Sequence, residues 1–468
     1  MEDIRKIFDK QKTNRWNISQ TTATERIAKL RKIKEAIFAK RGELQEAIYN
    51  DYKKNPAETD LTEIYPTVAE IEHSIKHLKK WMKPHKVKTP LTLFGTCSAV
   101  HYEAKGVVLI LSPWNYPFQL LMSPLVAAIS AGNCAIIKPS SKTPHTSHFL
   151  KKMISELFPE EEIALIEGSA QVADELLEFP FDHVFFTGSP KVGKHVMSLA
   201  AKNLAPVTLE LGGKSPVILD ETADVVKAAQ RIMWGKFINA GQTCVAPDYL
   251  LIHESRAPLF IEESKKVIAA RYGDTEQAQA ESPHFCRLVS DGHLESLKKI
   301  LDESIKGGAK MECGGKTSQD PRYLSPTLLS GVTNDSAIMR EEIFGPILPI
   351  LAYKNLDEAI RIIQAREKPL ALYIFSKNKK NIQDILSQTT AGGTCINSLI
   401  IHLANCDLPF GGVGNSGMGN YHGFYGFKTL SHERAVLRQS ALDTLKFFYP
   451  PYTAGVKKMI WLATKYLS

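Results

Sequence analysis

The sequence predicts an α/β fold in which two successive regions are each built around a parallel sheet. From Gly106 onwards, short apolar runs alternate with stretches of helical periodicity. The run at residues 107–111 is continuously apolar, which is typical of a strand buried on both faces. A second series of the same kind begins after residues 207–211. These observations indicate a doubly wound, Rossmann-like domain followed by a second α/β domain.

The N-terminal part of the chain is predicted to be helical. Thr22 and Glu25 have the spacing of a capping box, and apolar residues follow at near-helical spacing from Ile27 to Ile37. Two further helices are predicted at residues 44–52 and 61–81. A proline-rich break follows at residues 83–90, and a short strand is predicted at residues 99–103.

The first α/β region alternates strands with helices and ends in a strand. Its strands are predicted at 107–111, 135–137, 164–166, 183–186 and 207–211, and its helices at 118–131, 143–158, 172–177 and 191–201. Doubly wound sheets bind their ligands beyond the carboxyl ends of the strands. The loops that follow these strands are therefore the predicted binding region.

The second region continues the alternation. Its strands are predicted at 217–219, 249–252 and 347–351, and its helices at 228–238, 258–272, 294–305 and 356–365. Residues 273–293 and 307–335 are richer in Gly, Ser, Asp and Pro, and we predict that they are loops or excursions rather than linkers.

Composition is that of a globular protein with two or three domains: 468 residues, 44% hydrophobic and 23% charged. The net charge of +8 is mild, because 50 acidic residues nearly balance 58 basic ones. No nucleic-acid motif accompanies it, so no nucleic-acid partner is expected.

Seven cysteines are scattered along the chain without a Cys-x-x-Cys pair, and no His-Glu-x-x-His motif occurs. A metal site is therefore not expected. Unpaired thiols are typical of a reducing compartment. The charged N-terminus lacks the apolar core of a secretory signal, and no apolar run reaches the ~20 residues that span a bilayer. We therefore expect a cytoplasmic protein.

Cys244 is the candidate nucleophile. It lies in the string 239–247, between a helical run and a strand, with Gly241 allowing close approach of the backbone to a ligand. A small, polar, partly exposed setting would allow the reactive thiolate to form. The alternative is a packed thiol, because free cysteine is among the most buried residue types.

Two glycine-rich strings resemble nucleotide-binding motifs. Residues 188–194 follow a strand and open a helix, but His195 stands where a P-loop needs Ser or Thr to hold magnesium. What remains is a glycine turn at a helix N-terminus, which suits a pyrophosphate. Residues 412–417 match G-x-G-x-x-G but lack a preceding strand, so we interpret them as a structural or substrate-lining loop.

Polar residues at strand ends could serve the thiolate. The Asn115 amide could donate to an oxyanion, or only cap a turn between two prolines. Glu210, beside an apolar strand, could be a general base with a raised pKa. Lys138 could hold a ribose hydroxyl or phosphate, or be a solvated lysine. Residues 341–346 offer a carboxylate beside an aromatic ring.

Five strings, in this order and spacing, resemble the aldehyde dehydrogenase superfamily. They are most similar to its class 3 branch, which includes fatty-aldehyde dehydrogenases and the dimeric tumour- and corneal-type enzymes. The resemblance runs from the Tyr65 region to residues 449–451, and the strings are 113–117, 208–216, 241–249, 341–346 and 408–423.

The resemblance implies the aldehyde dehydrogenase fold and a homodimer. A Rossmann-like cofactor domain would comprise 1–80 and 106–209, and an α/β catalytic domain 210–393. A small β element for bridging and oligomerisation would comprise 81–105 and 394–445, and a tail 446–468. Segments near 94–105 and 424–439 would form the strands that bridge the subunits.

The resemblance also implies the chemistry. Cys244 would attack the aldehyde carbon, and the Asn115 amide and the Cys244 backbone N–H would hold the oxyanion of the thiohemiacetal. After hydride leaves for nicotinamide, Glu210 would deprotonate the water that hydrolyses the thioester. Hydrophobic aliphatic or aromatic aldehydes would thereby become carboxylic acids.

Binding residues follow from the same resemblance. Glu342 and Phe344 would hold the nicotinamide ribose, and Lys138 the adenine ribose. The pyrophosphate would face Gly188, Ser189, Val192 and Gly193. Trp114, Ser141, Leu211 and Gly212 would complete the NAD or NADP site. The substrate tunnel would be lined by Tyr65, Tyr116, Trp234, Phe410 and His422.

One position departs from the family pattern. The family commonly has Lys-Pro-Ser-Glu after the second strand, and the glutamate grips the adenosine ribose; here Ser141 takes its place. A carboxylate would repel a 2′-phosphate, whereas Ser141, flanked by Lys138 and Lys142, would not. We predict that NADP is used at least comparably to NAD.

The tail at 457–467 is basic, apolar and too short to span a membrane. It could cap the tunnel, touch a lipid surface or pack on a dimer partner. The sequence also leaves two alternative functions. A CoA-linked acyl reductase would not need a water-activating base such as Glu210, and a catalytically silent structural or lipid-surface protein would not need Cys244.

Overall fold

The computed structural model describes residues 2–441, 443 and 445–466. Its α-helices, in chain order, are α1 Glu2–Ser19, α2 Ala23–Ala39, α3 Arg41–Tyr52, α4 Pro56–Thr59, α5 Tyr65–Trp81, α6 Gln119–Ala131, α7 Pro144–Leu157, α8 Ala170–Leu177, α9 Pro190–Ala200, α10 Val225–Phe237, α11 Ala257–Tyr272, α12 Glu276–Glu281, α13 Asp291–Lys306, α14 Leu356–Gln364, α15 Lys379–Gln388, α16 Gly423–Thr429 and α17 Ala454–Tyr466. A π-helical turn, Asp60–Ile64, joins α4 to α5.

The strands form three sheets. In chain order they are β1 His85–Val87, β2 Thr96–Ala104, β3 Val107–Leu111, β4 Cys134–Lys138, β5 Ile163–Leu165, β6 His183–Gly188, β7 Val207–Leu211, β8 Pro216–Leu219, β9 Tyr249–His253, β10 Lys310–Cys313, β11 Thr327–Ser330, β12 Ile347–Tyr353, β13 Ala371–Phe375, β14 Gly393–Ile396, β15 Gly417–Met418 and β16 Ser431–Gln439.

The first sheet has the order β15-β7-β6-β3-β4-β5, and all of its neighbours are parallel except β15. Every residue of β3 and β4 is buried, as the continuous apolar runs predicted. The chain leaves β3 for β4 on one side and later returns to β6 on the other. This change of direction creates a crevice at the carboxyl ends of β3 and β6, the usual ligand site of such sheets.

The second sheet has the order β10-β11-β12-β9-β8-β13-β14 and is parallel apart from β10. Only residues 212–215 separate the end of β7 from the start of β8. The carboxyl edge of the first sheet is thereby joined to the amino edge of the second. This short connection explains why residues preceding β9 and β12 can meet residues that follow β3 and β7.

The third sheet is antiparallel, with the order β1-β2-β16. β2 pairs with β16 along its whole length, from Thr96↔Gln439 to Ala104↔Ser431. The predicted strand 99–103 is part of β2. The prediction of strand near 424–439 is wrong for its first part, because α16 occupies Gly423–Thr429 and buries Phe427. The role of β2 and β16 between subunits stays a prediction.

The predicted capping box is confirmed: the Glu25 N–H donates to Thr22 Oγ1 (3.3 Å), and the Thr22 N–H donates to Glu25 Oε2 (2.7 Å). The domain ranges stay a prediction. Relative to the sheets, the boundary between 209 and 210 falls within β7, and that between 393 and 394 falls within β14.

Loops were predicted where regular elements occur. Residues 273–293 contain α12 and the start of α13, and residues 307–335 contain β10 and β11. These strands are short and β10 lies at a sheet edge, so their composition resembles that of loops, and pairing across the sheet supplies the regularity. Neither α1 nor β13 and β14 was predicted from the sequence, although β13 is continuously apolar.

Among the described residues, no helix combines the length and the apolar character needed to span a bilayer. Within the same residues, no group of three or more His, Cys, Asp and Glu side chains is arranged to hold a metal ion.

Candidate active site

The loop that carries Cys244 precedes β9 and has an unusual backbone. Asn239 (φ 54°), Ala240 (φ 51°) and Gly241 (φ 74°) are consecutive residues in the left-handed region, which costs free energy for residues with a Cβ. A Cβ on Gly241 would come within 2.3 Å of the Gly345 carbonyl oxygen. The close approach expected between Gly241 and a ligand is therefore made instead by another part of the chain.

Side chains that the sequence analysis did not single out hold this loop. The Asn239 amide donates to the Asn115 carbonyl oxygen (2.9 Å), and the Gln242 amide donates to the Asn239 carbonyl oxygen (3.0 Å). The Tyr373 hydroxyl donates to the Val245 carbonyl oxygen (2.6 Å). Asn239 and Gln242 lie in the same string as Cys244, but Asn115 and Tyr373 are distant from it in sequence, so the sequence did not indicate these bonds.

Cys244 is partly accessible and lines an apolar cavity. Burial of the Cys244 thiol raises its pKa to about 12. The negative charges of Glu342 and Glu210 also raise the pKa. The backbone N–H groups of Cys244 and Val245 act in the opposite direction. The expectation that this setting allows the thiolate to form is therefore wrong for the protein alone, since desolvation favours the neutral thiol.

Glu210 is the general-base candidate on β7. Its side chain is buried, and neither carboxyl oxygen has a hydrogen-bond partner among the described residues. Burial raises its pKa well above the ordinary range, as predicted from its place beside an apolar strand. Its charge contributes to the raised pKa of Cys244. A raised pKa makes the ionised carboxylate a stronger base, so Glu210, unpartnered and close to the thiol, is suited to taking a proton from water once it is ionised.

Asn115, in the loop after β3, reaches the Cys244 loop. Its amide donates to the Gln242 carbonyl oxygen (3.1 Å), and its carbonyl oxygen accepts from Tyr52 (3.2 Å). The alternative that Asn115 only caps its own turn is therefore wrong. The Asn115 side chain connects the loop after β3 to the loop before β9. Gln242, which accepts its hydrogen bond, is two positions before Cys244 in the sequence. Its role toward an oxyanion stays a prediction.

The turn between β6 and α9 lies at the sheet crevice. The Ser189 hydroxyl accepts from the Val192 N–H (3.4 Å), and Val192 is exposed. Gly193 is buried, and a Cβ there would come within 2.6 Å of the Leu211 side chain. The glycine thus allows α9 to lie close to β7. Close helix–strand packing at a phosphate-binding turn is the role that such a glycine has in dinucleotide sites.

Lys138 ends β4 and is buried. Its ammonium group donates to the carbonyl oxygens of Gly168 (2.9 Å) and Pro139 (3.2 Å), and burial lowers its pKa. The alternative of a solvated lysine is therefore wrong. Ser141, three residues further along the chain, is exposed. One donor of the ammonium group remains for a ligand, because an ammonium carries three.

Aromatic side chains and a carboxylate gather near the end of the crevice. The Trp114 ring lies 5.4 Å from the Phe344 ring and 6.0 Å from the His293 ring. The Glu342 carboxyl lies against Gly212, where a Cβ would come within 2.2 Å of it. Burial raises the pKa of Glu342 to about 8, with a further contribution from Asp248. His293 was not predicted from the sequence.

These groups fit a dinucleotide such as NAD or NADP. The crevice offers a glycine turn at a helix N-terminus, a buried ammonium with a spare donor, and aromatic rings beside a carboxyl group. All of them follow the carboxyl ends of β3, β4, β6 and β7 or precede β12. The role of each predicted cofactor residue stays a prediction.

The cavity next to Cys244 has a volume of about 340 Å³. All five predicted tunnel residues line it together with Cys244, namely Tyr65, Tyr116, Trp234, Phe410 and His422. Leu61, Tyr65 and Ile401 are more than half exposed, so they form an apolar rim where the cavity meets solvent.

Behind the tunnel wall lies a buried acidic residue that the sequence did not indicate. Glu70 lies on α5, accepts from the Gly423 N–H (2.7 Å), and lies 3.0 Å from His422 Nδ1. Hydrogen bonds from His422 and Gly423 lower the pKa of Glu70 against the opposing effect of burial. Glu70 has helical spacing with other buried residues of α5, so nothing in the sequence separated it from a surface glutamate.

The string 412–417 leads into β15, the edge strand of the first sheet. β15 pairs with β7 beside Glu210, and the Leu211 N–H donates to the Ser416 carbonyl oxygen (3.0 Å). A Cβ on Gly417 would come within 2.1 Å of the Leu209 carbonyl oxygen. Glycine at this position therefore allows the strand to approach.

Comparison with known proteins agrees with this geometry. The model of the aldehyde dehydrogenase family matches residues 1–436. A 4,4'-diaponeurosporen-aldehyde dehydrogenase from Staphylococcus aureus is 48% identical over 428 residues, which is 92% of each chain. The rat aldehyde dehydrogenase family 3 member B1 is 40% identical and aligns with 96% of this chain and 95% of its own.

Solved structures show the same fold. The substrate-bound S. aureus AldH has a TM-score of 0.94 at 46% identity, covering 98% of this chain and 99% of that one. An NADP-dependent enzyme from E. coli has a TM-score of 0.87 at 25% identity, and the match covers 94% of this chain and 90% of that one. An NAD-dependent aldehyde dehydrogenase from Sinorhizobium meliloti has a TM-score of 0.87 at 29% identity, and the match covers 97% of this chain and 89% of that one. The chain therefore belongs to the aldehyde dehydrogenase family, and its resemblance to the class 3 branch is confirmed.

Proposed function

We propose that this dehydrogenase oxidises hydrophobic aldehydes to carboxylic acids through a covalent bond to Cys244. The observation that carries the proposal is the convergence of Cys244, Glu210 and Asn115 beside an apolar cavity with an apolar rim. An aldehyde with an aliphatic or aromatic body would bury that body in the cavity. The similarity to an enzyme named for 4,4'-diaponeurosporen-aldehyde supports an apolar substrate.

In the proposed reaction, the Cys244 thiol releases its proton to solvent through the open rim of the cavity, and its sulfur adds to the aldehyde carbon. The Asn115 amide and the Cys244 N–H stabilise the resulting oxyanion. NAD or NADP, when bound, accepts the hydride. Glu210 then takes a proton from the water that attacks the thioester, and the carboxylate product leaves Cys244. The unpartnered carboxyl of Glu210 supports this base role and argues against a CoA-linked acyl reductase.

A panel of aliphatic and aromatic aldehydes, assayed with each cofactor and with or without CoA, tests the proposal. We expect kcat/KM to increase with the apolar surface of the aldehyde and to be independent of CoA. Oxidation only of small polar aldehydes, or only in the presence of CoA, would contradict it. Absence of activity toward every aldehyde would favour the silent structural protein.

Ser141 provides a test of cofactor choice. We expect wild-type kcat/KM with NADP to be at least comparable to that with NAD. The change Ser141→Glu should lower the NADP/NAD ratio by about 10-fold or more, because a carboxylate at the end of β4 would repel a 2′-phosphate. Steady-state kinetics with both cofactors measures the ratio, and Ser141→Gln is the uncharged control. A strong wild-type preference for NAD would refute the prediction.

The helix α17 supports a proposed contact with an anionic lipid surface. It contains Lys457, Lys458 and Lys465 and no acidic residue, while Trp461 and Tyr466 are more than half exposed. Lys465 Nζ lies 4.9 Å from the centre of the Trp461 ring, an arrangement that suits the membrane interface. Residues 467 and 468 lie outside the described part of the chain.

Deletion of residues 456–468 should weaken binding to phosphatidylserine-containing vesicles by roughly 100-fold, at ~1 kcal/mol per lysine near the surface. Vesicle co-sedimentation measures this, and neutral phosphatidylcholine vesicles are the control. Unchanged vesicle binding and unchanged kinetics with long-chain aldehydes would contradict a role for the tail. A change only in oligomeric state would favour packing on a dimer partner.

We also propose a homodimer located in the cytoplasm. The support is the largely exposed edge strand β16, which pairs with β2 on one side only and can accept further contacts on the other, and the scattered free cysteines. Sedimentation equilibrium would test the dimer, and cell fractionation the location.

A further inference from the structure

A buried charged group adjoins the active site without lining its cavity. Lys54, Glu58 and Glu63, here called the triad, lie on the segment between α3 and α5; Lys54 and Glu63 are buried, and Glu58 is partly buried. Lys54 and Glu63 have no exposed side-chain surface, and Lys54 Nζ lies 3.0 Å from Glu63 Oε1. The charge of Lys54 lowers the pKa of Glu58 against the larger effect of burial. Removing two charged groups from water costs free energy, and the attraction between them often does not offset that cost. A contribution to stability alone therefore does not explain the pair.

Each glutamate of the triad holds one of the two catalytic loops. Glu63 Oε2 accepts from the N–H groups of Gln119 (2.9 Å) and Phe118 (3.2 Å), at the start of the helix that follows Asn115. Glu58 Oε1 accepts from the N–H of Asn239 (2.8 Å), the first left-handed residue of the Cys244 loop. The two carboxylates thus bind backbone on both sides of the reacting centre.

Lys54 also reaches the Cys244 loop through an aromatic ring. Its Nζ lies 4.3 Å from the centre of the Tyr116 ring. The Tyr116 hydroxyl is 2.6 Å from Thr243 Oγ1, and Thr243 directly precedes Cys244. A single ammonium group therefore contacts a glutamate that holds the Asn115 side and a tyrosine that holds the Cys244 side.

The backbone between the two glutamates is specialised. Glu63 lies in the π-helical turn, and Glu58 lies in α4 just before it. Residues five positions apart on an α-helix point about 140° away from each other. An inserted π turn changes that angle, and such turns are frequent at functional sites.

From these contacts we propose that Lys54 is a positioning residue. Through its contacts with Glu63 and the Tyr116 ring, and with its charge close to Glu58, it holds the Asn115 loop and the Cys244 loop at the separation that catalysis requires. This inference rests on the proposed function, because it assumes that these two loops form the reacting centre. Lys54 itself does not touch the substrate.

The change Lys54→Met should lower kcat by about 100-fold, since a misplacement of about 1 Å at a reacting centre has an effect of that size. KM for the aldehyde should change much less, because the cavity wall does not include the triad. The matched control is Lys29→Met, which removes a lysine from the partly buried Lys29–Glu162 ion pair. It should leave kcat unchanged.

Alkylation of Cys244 gives a readout that does not depend on turnover. Burial raises the pKa of this thiol, so a displaced loop that admits water should lower the pKa and expose more thiolate. Mass-spectrometric mapping should show iodoacetamide labelling of Cys244 in Lys54→Met accelerated by at least about 10-fold, the effect of one pKa unit. Labelling of the exposed Cys97 serves as the internal reference.

Glu58 keeps the inference testable if Lys54→Met does not fold. Glu58→Gln retains an oxygen that can accept from the Asn239 N–H, whereas Glu58→Ala does not. We therefore expect Glu58→Gln to restore most of the kcat lost in Glu58→Ala, and to restore the slow labelling of Cys244.

The inference is overturned if folded Lys54→Met, checked by circular dichroism and Tm, has wild-type kcat and wild-type labelling of Cys244. It is equally overturned if Glu58→Gln and Glu58→Ala behave alike. Failure of the proposed function would look different: the wild-type protein would oxidise no aldehyde, while the labelling experiment would still report on the loop.

Discussion

Replacing Cys244 with alanine should lower kcat/KM for aldehyde oxidation by at least about 10⁴-fold, because no covalent intermediate can then form. Cys244 is the cysteine that lines the apolar cavity, and the left-handed turn before it is held by bonds to Asn115 and Gln242. The rate of formation of the reduced cofactor measures the effect with any aldehyde that the wild-type enzyme oxidises.

The matched control for this change is Cys97→Ala, which removes an exposed thiol from β2 and should leave kcat/KM unchanged. Cys244→Ser keeps the size of the side chain but offers a much weaker nucleophile at neutral pH, and it should be nearly as inactive. Retention of more than about a tenth of wild-type activity by Cys244→Ala would exclude the covalent route, since ~10⁴-fold loss is expected for a nucleophile.

Replacing Glu210 with glutamine should lower steady-state kcat by about 10²- to 10⁴-fold, the range expected on loss of a general base. The acylation of Cys244 does not need this base, so the thioester should accumulate. Intact-protein mass spectrometry of the quenched variant should show the mass of one acyl group on Cys244, whereas the wild-type protein should show little.

The pH dependence follows from the pKa of Glu210, which burial raises well above its ordinary range. A base must be ionised, so the ionised fraction and kcat should rise with pH until that raised pKa is passed. In Glu210→Gln this rise should disappear. A variant with wild-type kcat, or without an acyl adduct, would assign water activation to another group.

Asp51→Asn is a suitable control for a buried carboxyl group. Burial also raises the pKa of Asp51, and its oxygens accept from Thr146 N (2.9 Å) and His145 N (3.1 Å), away from the cavity. The variant should lower the Tm but leave kcat and its pH dependence unchanged. A parallel loss of activity in both variants would indicate general destabilisation rather than loss of a base.

The strands that sequence analysis placed best are those with continuous apolar runs. β3 has the predicted limits, because a strand buried on both faces is continuously apolar. β7 also has the predicted limits, although it carries the buried polar residues Thr208 and Glu210. β10 and β11 were predicted to be loops, because their regularity comes from pairing with distant strands rather than from local composition. Local pattern therefore predicted the centre of each sheet better than its edge.

The candidate site was predicted unevenly for a similar reason. Cys244, Glu210 and the tunnel residues lie in strings that resemble the family. Lys54 and Glu63 lie in no such string, and a lysine after Lys53 is most simply predicted to be solvated. Only the fold places its ammonium group between Glu63 and the Tyr116 ring.

The sequence by itself determined the α/β class, the order of most helices and strands, the family and the residue types available for chemistry. These depend on periodicity and on short strings, which are local properties of the chain. The tertiary structure alone decided the protonation tendencies of Cys244 and Glu210, the left-handed turn at Asn239 and the partners of the buried charges. Desolvation and long-range hydrogen bonds depend on which atoms surround a group in three dimensions, and residues far apart in sequence supply those atoms.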